Sequence, residues 1–416
     1  MANACGVDFG TSNSTVGWVR PGHPTLLTLE DGKPTLPSVV FFNADEDAVR
    51  YGRAALADYL EGYDGRLMRS LKSLLGTSLM EGQTEVAGRA LPFRQLLGHF
   101  IGEVKRRAEQ QAGRPFDHAV LGRPVYFVDG DPDADRLAED TLADIARSVG
   151  FKEIGFQYEP IAAAFDYESR IGGEELVLIA DIGGGTSDFS LVRLGPERAG
   201  RPDRREDLLA NGGVHIGGTD FDKYLSLASV MPLLGYGSQL VSGAAIPSSY
   251  YFNLATWHTI NQAYTRKSVA QLGELVRDAA EPDKLQRLRH LIDERAGHWL
   301  AMRVEEAKIA LSDAPEVVLD LDRLRPAEQL RIVRAGFDEA AASLVDQVGA
   351  TVQQLLADAG VAAGRVDTVF FTGGSSGVAA LRERIAAIVP DARRVEGDLF
   401  GSIGAGLALD AARRYG

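Results

Sequence analysis

A single cysteine, Cys5, serves the 416 residues. An intrachain disulfide is therefore excluded, and so is a zinc knuckle built on paired cysteines. Cys5 lies in a strand-like run and reads as an inert core thiol. Histidine is also scarce: there are seven, scattered, with no HExxH spacing to place two on one helix face. Positive charge is in deficit, 44 bases against 58 acids for a net −14, which disfavours broad binding to nucleic acid or to an anionic membrane. No run approaches the roughly 18 apolar residues of a membrane span. Asp8 interrupts the N-terminal apolar stretch early, so no leader is expected, and a cytoplasmic location fits. GxxxxGK[ST] is missing, which excludes a P-loop. "GGSSG" at 373–377 has the spacing of a GxSxG nucleophile elbow, but that chemistry needs a histidine later in the chain and the last is His298.

The remaining composition, 45% apolar and 25% charged, is that of a soluble globular protein long enough for two domains. The informative feature is repetition. "VDFGTSNSTVGWVR" (Val7 to Arg20) and "ADIGGGTSDFSLVR" (Ala180 to Arg193) align without gaps on an Asp, a Gly, a Ser, a Val and the final Arg. The repeat extends beyond them. In the first half "ACGVDF", "STVGWVR", "TLLTL" and "SVVFF" predict an antiparallel meander. A more helical section follows, about 43–114, with Leu96, Leu97, Phe100, Ile101 and Val104 at helical spacing. The strand "HAVLGRPV", a helix over Asp133–Val149 stopped by Gly150, and the small-residue helix of "YEPIAAAFDYESR" complete it. The second half offers the hairpin "EELVLIADI" and "FSLVRL", a polar loop, a mostly helical insert over about 219–299, a helix over Asp338–Ala359, the strand "DTVFF" and the small-residue helix of "GSIGAGLALDAARR". Two like α/β lobes facing across a cleft are expected, at 1–173 and 174–396, with 397–416 as a helix at their interface.

Glycine-rich hairpins expose backbone N–H groups that can cradle an anion, and glycine is expected there for positive φ. One hairpin from each lobe would grip a polyphosphate from both sides. Asp8 and Asp181 would end their strands at the same spot. Two carboxylates beside phosphate call for a cation, and Mg²⁺, held by few carboxylates and several waters, is the one expected. "FFTGGSSG", Phe370 to Gly377, adds a third small-residue turn after a strand.

"GVDFGTSNS", "LIADIGGGTSDFS", "HIGGTDFD" and "FFTGGSS", with "YEPIAAAFDY" and "EEAKIALSD", resemble the ATPase domain of the DnaK-type heat-shock chaperones, within the actin, sugar-kinase and chaperone superfamily. A short bacterial, YegD-like branch without the peptide-binding half looks most similar. The resemblance implies an actin-like ATPase fold: two ribonuclease-H-like lobes with helical inserts around a nucleotide cleft, taking ATP or ADP with Mg²⁺. It implies that Asp8 and Asp181 hold Mg²⁺ through water, with Asp188 beside its outer shell. Gly10, Thr11, Ser12 and Asn13 would line one phosphate hairpin, and Gly183, Gly184, Gly185 and Thr186 the other. Lys72 matches a lysine that reaches the γ-phosphate and attacking water, although the residues alone make it a solvated lysine on an amphipathic helix. Glu159, Asp181 or Thr186 would position the water, with the base left open. Gly217 and Gly218 would approach the nucleotide; Glu305, Lys308 and Ser312 would lie near ribose and base; Gly373, Gly374 and Ser375 would pass under the adenosine; Asp398 would contact the nucleoside side.

Two departures from the family pattern stand out. The arginines that sandwich adenine fall at Ile309 and Gly377, so weaker ATP binding or looser base preference is expected. The sequence stops at Gly416, after the final helix, so no peptide-gripping half is expected in this chain. Pro247, Tyr250, Tyr251, Phe252 and Trp257 read as the core of an enlarged subdomain, with a partner surface as the alternative. The expected activity is slow ATP hydrolysis coupled to lobe closure, read by a protein partner or co-chaperone of unknown identity. A small-molecule kinase and a nucleotide-switched filament are the rivals.

Overall fold

A computed structural model describes residues 3–416 apart from positions 24, 87, 129, 202 and 398–400. Two five-stranded sheets share one topology. In the first, Glu153–Tyr158 pairs with His118–Arg123, then Ala4–Phe9, Asn13–Gly17 and Leu36–Pro37; in the second, Arg393–Glu396 takes the outer place, followed inward by Thr368–Thr372, Glu175–Ile182, Ser187–Leu194 and Leu208–Val214. Each sheet is an antiparallel meander extended by two parallel strands. The repeated sentences in the sequence are the first hairpin of each.

Alternation along the strands decides which core each residue joins. Leu178, Ala180 and Ile182 face the second lobe's own core, whereas Val177 and Ile179 face the seam between the lobes. Cys5, Val7 and Phe9 face the first lobe's core, and Ala4 the seam. Cys5 is buried at 1% exposure, and burial pushes its thiol pKa up, as an inert core thiol requires.

Two helices of small residues fill the seam. Ser402–Tyr415 lies on the first sheet and Glu159–Glu168 lies between it and the second. Their closeness is enforced by glycine. A Cβ at Gly406 would collide with the Ala162 carbonyl oxygen, and one at Gly6 with the backbone of Ala408. Gln157 Nε2 donates to Asp410 Oδ2 at 3.1 Å within this buried seam.

Two sequence expectations change. "SVVFF" is not part of the meander: after the two-residue strand Leu36–Pro37, Val39–Asn43 leaves for a separate sheet with Ala48–Tyr51 and Gly65–Arg69. "TLLTL" makes only the bridge Gly17↔Leu26. The 43–114 insert is more helical than extended, as expected, but it also carries a hairpin, Gln83–Val86 and Arg89–Pro92, before the helix Phe93–Ala112. The second insert is helical as expected, and Tyr250 and Tyr251 are its core, while Phe252 is 41% exposed. A hairpin at Glu316–Leu321 and Glu328–Val333 was not anticipated. No helix among the described residues is long and apolar enough to cross a membrane.

Candidate functional site

The two repeated hairpins meet tip to tip. Asp8 pairs with Thr15 and Asp181 with Asp188, each acid one residue short of its turn. A Cβ on Gly184 would run into Ser12 Oγ, which places Ser12 directly against Gly184. The first hairpin is braced by Ser38, whose N–H donates to Ser12 O at 2.9 Å and whose hydroxyl donates to Gly10 O at 2.6 Å. The second is closed by Gly183 N–H to Thr186 O at 2.9 Å. It is backed by "HIGGTDFD": Gly218 N donates to Gly183 O at 3.0 Å, Thr219 N to Gly184 O at 2.8 Å, and a Cβ on Gly217 would lie 2.5 Å from Gly185 N. The third turn joins them through Ser375 N to Ile182 O at 2.9 Å, with Gly373 in the left-handed region at φ 81°.

The reason for glycine differs from the expectation of positive φ. Gly10, Gly183, Gly184, Gly185, Gly217 and Gly218 do not adopt it; only Gly373 does. A Cβ at Gly10 would meet the backbone oxygen of Asn13, and one at Gly184 or Gly218 would meet the hydroxyl of Ser12 or Ser375, whereas Gly183 and Gly185 are uncrowded.

Below the hairpins lies a knot of charge. Lys72 sits in the one-turn 3₁₀ segment Leu71–Leu74, entered through Ser70 at φ 55°, and not on an amphipathic helix. That turn swings Nζ inward to hydrogen-bond Glu159 Oε1. Glu159 opens the helix Glu159–Glu168, and its side chain passes 3.1 Å from where a Cβ on Gly122 would stand. Burial alone would lower the Lys72 pKa, but Glu159, Asp8 and Asp181 together hold it above its ordinary value. Burial, then Glu159, raises the Asp8 carboxyl in spite of Lys72. Asp181 is pushed up to about 8, by burial first and then by Asp188, Glu159 and Asp8. Asp188 is exposed, and Thr186 Oγ1 donates to its Oδ2 at 2.8 Å. One lysine facing this many carboxylates leaves the site short of positive charge, the condition under which a dication is favoured. Among the described residues no group of three His, Cys, Asp or Glu side chains could hold a metal ion directly.

The outer part of the site is formed by the helix Gly297–Asp313, which aligns Glu305, Lys308, Ile309 and Ser312 along one side. Lys308 is less free than the sequence implied. Its Nζ donates to Gly218 O at 3.1 Å and pairs with Asp222 Oδ1 at 2.8 Å. Asp222, whose carboxyl is raised to about 6 chiefly by burial, was not singled out from the sequence, although it follows Gly218 by one helical turn. Arg69 was missed too: burial lowers its pKa, and Glu305 and Asp222 partly offset this. Ile309 is 54% exposed, and the Cβ position of Gly377 is 3.2 Å from Ser312 Oγ. Glu305 and Gly374 are exposed, and Asp398 lies outside the described residues.

Duplicated five-stranded sheets of this order, with two glycine hairpins meeting at their tips, define the class: an actin-like ATPase fold. The family follows from comparison. The family model described as Hsp70 protein matches residues 4–230 and 279–409, and the chain belongs to the Hsp70 family. It is 26% identical over 413 residues to the chaperone protein DnaK of Deinococcus radiodurans and 27% identical over 413 residues to that of Deinococcus deserti. Each match covers 94% of this chain but 56% of the relative. Residues 231–278, part of the second insert, lie between the two stretches matched by the family model.

Proposed function

We propose that the chain binds Mg·ATP in the interlobe cleft and hydrolyses it slowly, with closure of the lobes as its output. The observation that carries this reading is the meeting of Ser12 with Gly184 at the tips of the hairpins whose strands bring Asp8 and Asp181 beside Glu159 and Lys72. Thr11, Ser12 and Asn13 bind the phosphates from the first lobe, with the hydroxyls supplying donors. Gly184, Gly185 and Thr186 do so from the second, with bare backbone. Gly10 and Gly183 shape the turns, and Gly217, Gly218, Gly373, Gly374 and Ser375 form the floor under the nucleoside. Glu305, Lys308 and Ser312 line its ribose and base side.

Asp8 and Asp181 would hold Mg²⁺ through water, with Asp188 in the outer shell; when bound, the ion supplies charge neutralisation to the phosphate oxygens. Lys72 stays protonated through the neutral range, so it acts by charge on the transferring phosphoryl group and not as a base. Glu159 fixes the Lys72 ammonium, and Glu159, Asp181 and Thr186 are the groups that orient the attacking water. Closure would turn on the two small-residue helices at the seam, and a protein partner in the cytoplasm would read it. Steady-state hydrolysis with and without Mg²⁺ tests the proposal. Turnover independent of Mg²⁺, and unchanged in both Lys72→Ala and Asp181→Ala, would overturn it.

A further inference from the structure

One crossing segment serves both the first phosphate hairpin and Lys72. Leu36–Pro37 ends the first lobe's meander, and Val39–Asn43 is the central strand of the insert sheet, so Ser38 is the single residue between two sheets. It is 1% exposed. Its N–H donates to Ser12 O at 2.9 Å and its hydroxyl to Gly10 O at 2.6 Å, one bond on either side of Thr11. With that proton committed, the hydroxyl accepts from Ser14 Oγ at 3.0 Å, which is also buried. A trans peptide sets its N–H opposite its C=O. Holding Gly10 O and Ser12 O against Ser38 therefore turns the N–H groups of Thr11 and Asn13 to the hairpin's other face. On the insert side, Val39 stands opposite Arg69, the last residue of Gly65–Arg69. Ser70 follows at φ 55°, and the turn Leu71–Leu74 carries Lys72 inward to Glu159. Packing fixes the strand between these two ends: Val40 is set in the first lobe's core, and Val39 and Phe41 pack with Ala55 of the helix Gly52–Glu61.

We infer that Ser38 is a positioning residue: its hydroxyl and N–H fix the first hairpin relative to Lys72, so that the amide groups of Thr11 and Asn13 and the Lys72 ammonium address one phosphoryl group. The inference rests on the nucleotide reading of the cleft. Ser38 acts through these groups and not on the ligand, because its own N–H and hydroxyl are committed within the protein. The groups it aligns differ in what they demand. Phosphate binding is spread over both hairpins and tolerates a small displacement. Charge stabilisation at the reacting group does not, since misplacement by about 1 Å can cost about 100-fold in rate. Loss of the hydroxyl would also leave Gly10 O without that donor. A carbonyl released from Ser38 can swing toward the anion, putting an acceptor where the Thr11 N–H stood.

Kinetics and hydrogen exchange test the inference. Ser38→Ala should lower single-turnover hydrolysis of Mg·ATP about tenfold, the upper range for one neutral hydrogen bond, while fluorescent-ADP affinity stays within about twofold. Ser38→Cys keeps the shape with a weaker donor and should fall between parent and Ser38→Ala; it reads the same split if Ser38→Ala does not fold. In a Lys72→Ala background the loss on Ser38→Ala should shrink to under about twofold, since residues that act through one another are not additive. In the nucleotide-free protein, the segments Gly10–Ser14 and Leu71–Leu75 should both exchange their amide hydrogens faster in Ser38→Ala than in the parent. Equal falls in rate and affinity, or the same loss in both backgrounds, would reduce Ser38 to a support of the hairpin and overturn the inference. Faster exchange confined to Gly10–Ser14 would overturn it as well. If the parent binds no fluorescent ADP while both segments respond, the common frame stands and the nucleotide reading fails.

Discussion

Lys72 and Glu159, 87 residues apart in sequence, form one hydrogen-bonded ion pair whose side chains are only 11% and 13% exposed. The pair ties the first-lobe insert to the first turn of a seam helix. It also sets the charge balance of the site, because the same ammonium faces Asp8 and Asp181. Removing it should cost catalysis more than binding. Lys72→Ala is expected to lower the single-turnover hydrolysis rate by at least about 100-fold, the scale for losing one preorganised charge at the reacting group. Nucleotide affinity should stay within about tenfold, since backbone groups supply much of the phosphate contact. Glu159→Gln keeps an acceptor for Lys72 and should fall between parent and Lys72→Ala. Parental turnover in Lys72→Ala would sink the assignment.

Asp181 gives the site a pH signature. Its carboxyl is raised to about 8 in the fold, so between its ordinary pKa and that value the folded chain holds a proton that the unfolded chain has released. The sign follows: this contribution to stability is full below the ordinary pKa and is lost as pH rises toward 8. Without nucleotide or Mg²⁺, the melting temperature should therefore fall from pH 5.5 to pH 8. Asp181→Asn should flatten the profile and melt higher than the parent at pH 8, a comparison thermal-shift measurements make directly. A parent that gains stability over that range would contradict it.

The glycines of the site should differ in their tolerance of a methyl group. At Gly184 the obstacle is Ser12 Oγ, a side-chain tip that can rotate away. At Gly217 it is the backbone of Gly184 and Gly185, at 2.6 and 2.5 Å, which cannot. The Gly217 dihedrals, φ −146° and ψ −168°, are open to alanine, so crowding alone separates the two variants. Gly217→Ala should cost about 1–3 kcal/mol in stability and most nucleotide binding, and Gly184→Ala much less. Denaturant titration and fluorescent-nucleotide binding on both would reveal a reversed order.

What the sequence disclosed follows from where its signals are local. Asp8 and Asp181 were legible because each hairpin repeats the same Asp-x-Gly spacing, and the hairpins do meet. Lys72 was not legible from periodicity, because the contact that matters, with Glu159, is tertiary and its turn is a single 3₁₀ loop. The apolar run of Val39–Asn43 announced a strand but not which sheet would receive it, since an apolar run carries no record of its pairing partner. The hairpin glycines do not adopt the positive φ expected of them, and the crowding at Gly10 and Gly184 comes from Asn13 and from Ser12 of the opposite hairpin. Asp222 and Arg69 are invisible for the same cause, as each matters through residues far along the chain.

At the seam, Gly406 tests which of two opposed effects wins. Alanine in a helix interior is favoured over glycine by about 1 kcal/mol. A Cβ there, however, would collide with Ala162 O, a backbone atom of the neighbouring helix. Overpacking of this kind costs typically 1–3 kcal/mol and more when the obstacle is fixed. Gly406→Ala should therefore destabilise the protein, visibly as a lower urea midpoint, and should loosen the two lobes against each other. A raised midpoint would mean the helices can slide apart at little cost.

The far end of the cleft offers a gain-of-function prediction. Ile309 is 54% exposed, one helical turn beyond Glu305 and beside Lys308 and Ser312, so an arginine there meets no steric barrier. Gly377 has only Ser312 Oγ near its Cβ position, at 3.2 Å, a hydroxyl that can rotate. A guanidinium over a base is worth about 0.5–2 kcal/mol, or roughly two- to thirtyfold in affinity. Ile309→Arg should therefore tighten ATP binding by that factor, and Ile309→Arg with Gly377→Arg should tighten it further, with the fluorescent-ADP release rate falling in step. Because cation–π attraction acts on any aromatic face, GTP should gain affinity as well, so the ATP:GTP ratio should change less than either affinity. Unchanged affinities for both nucleotides in the double variant would place the base elsewhere than between positions 309 and 377.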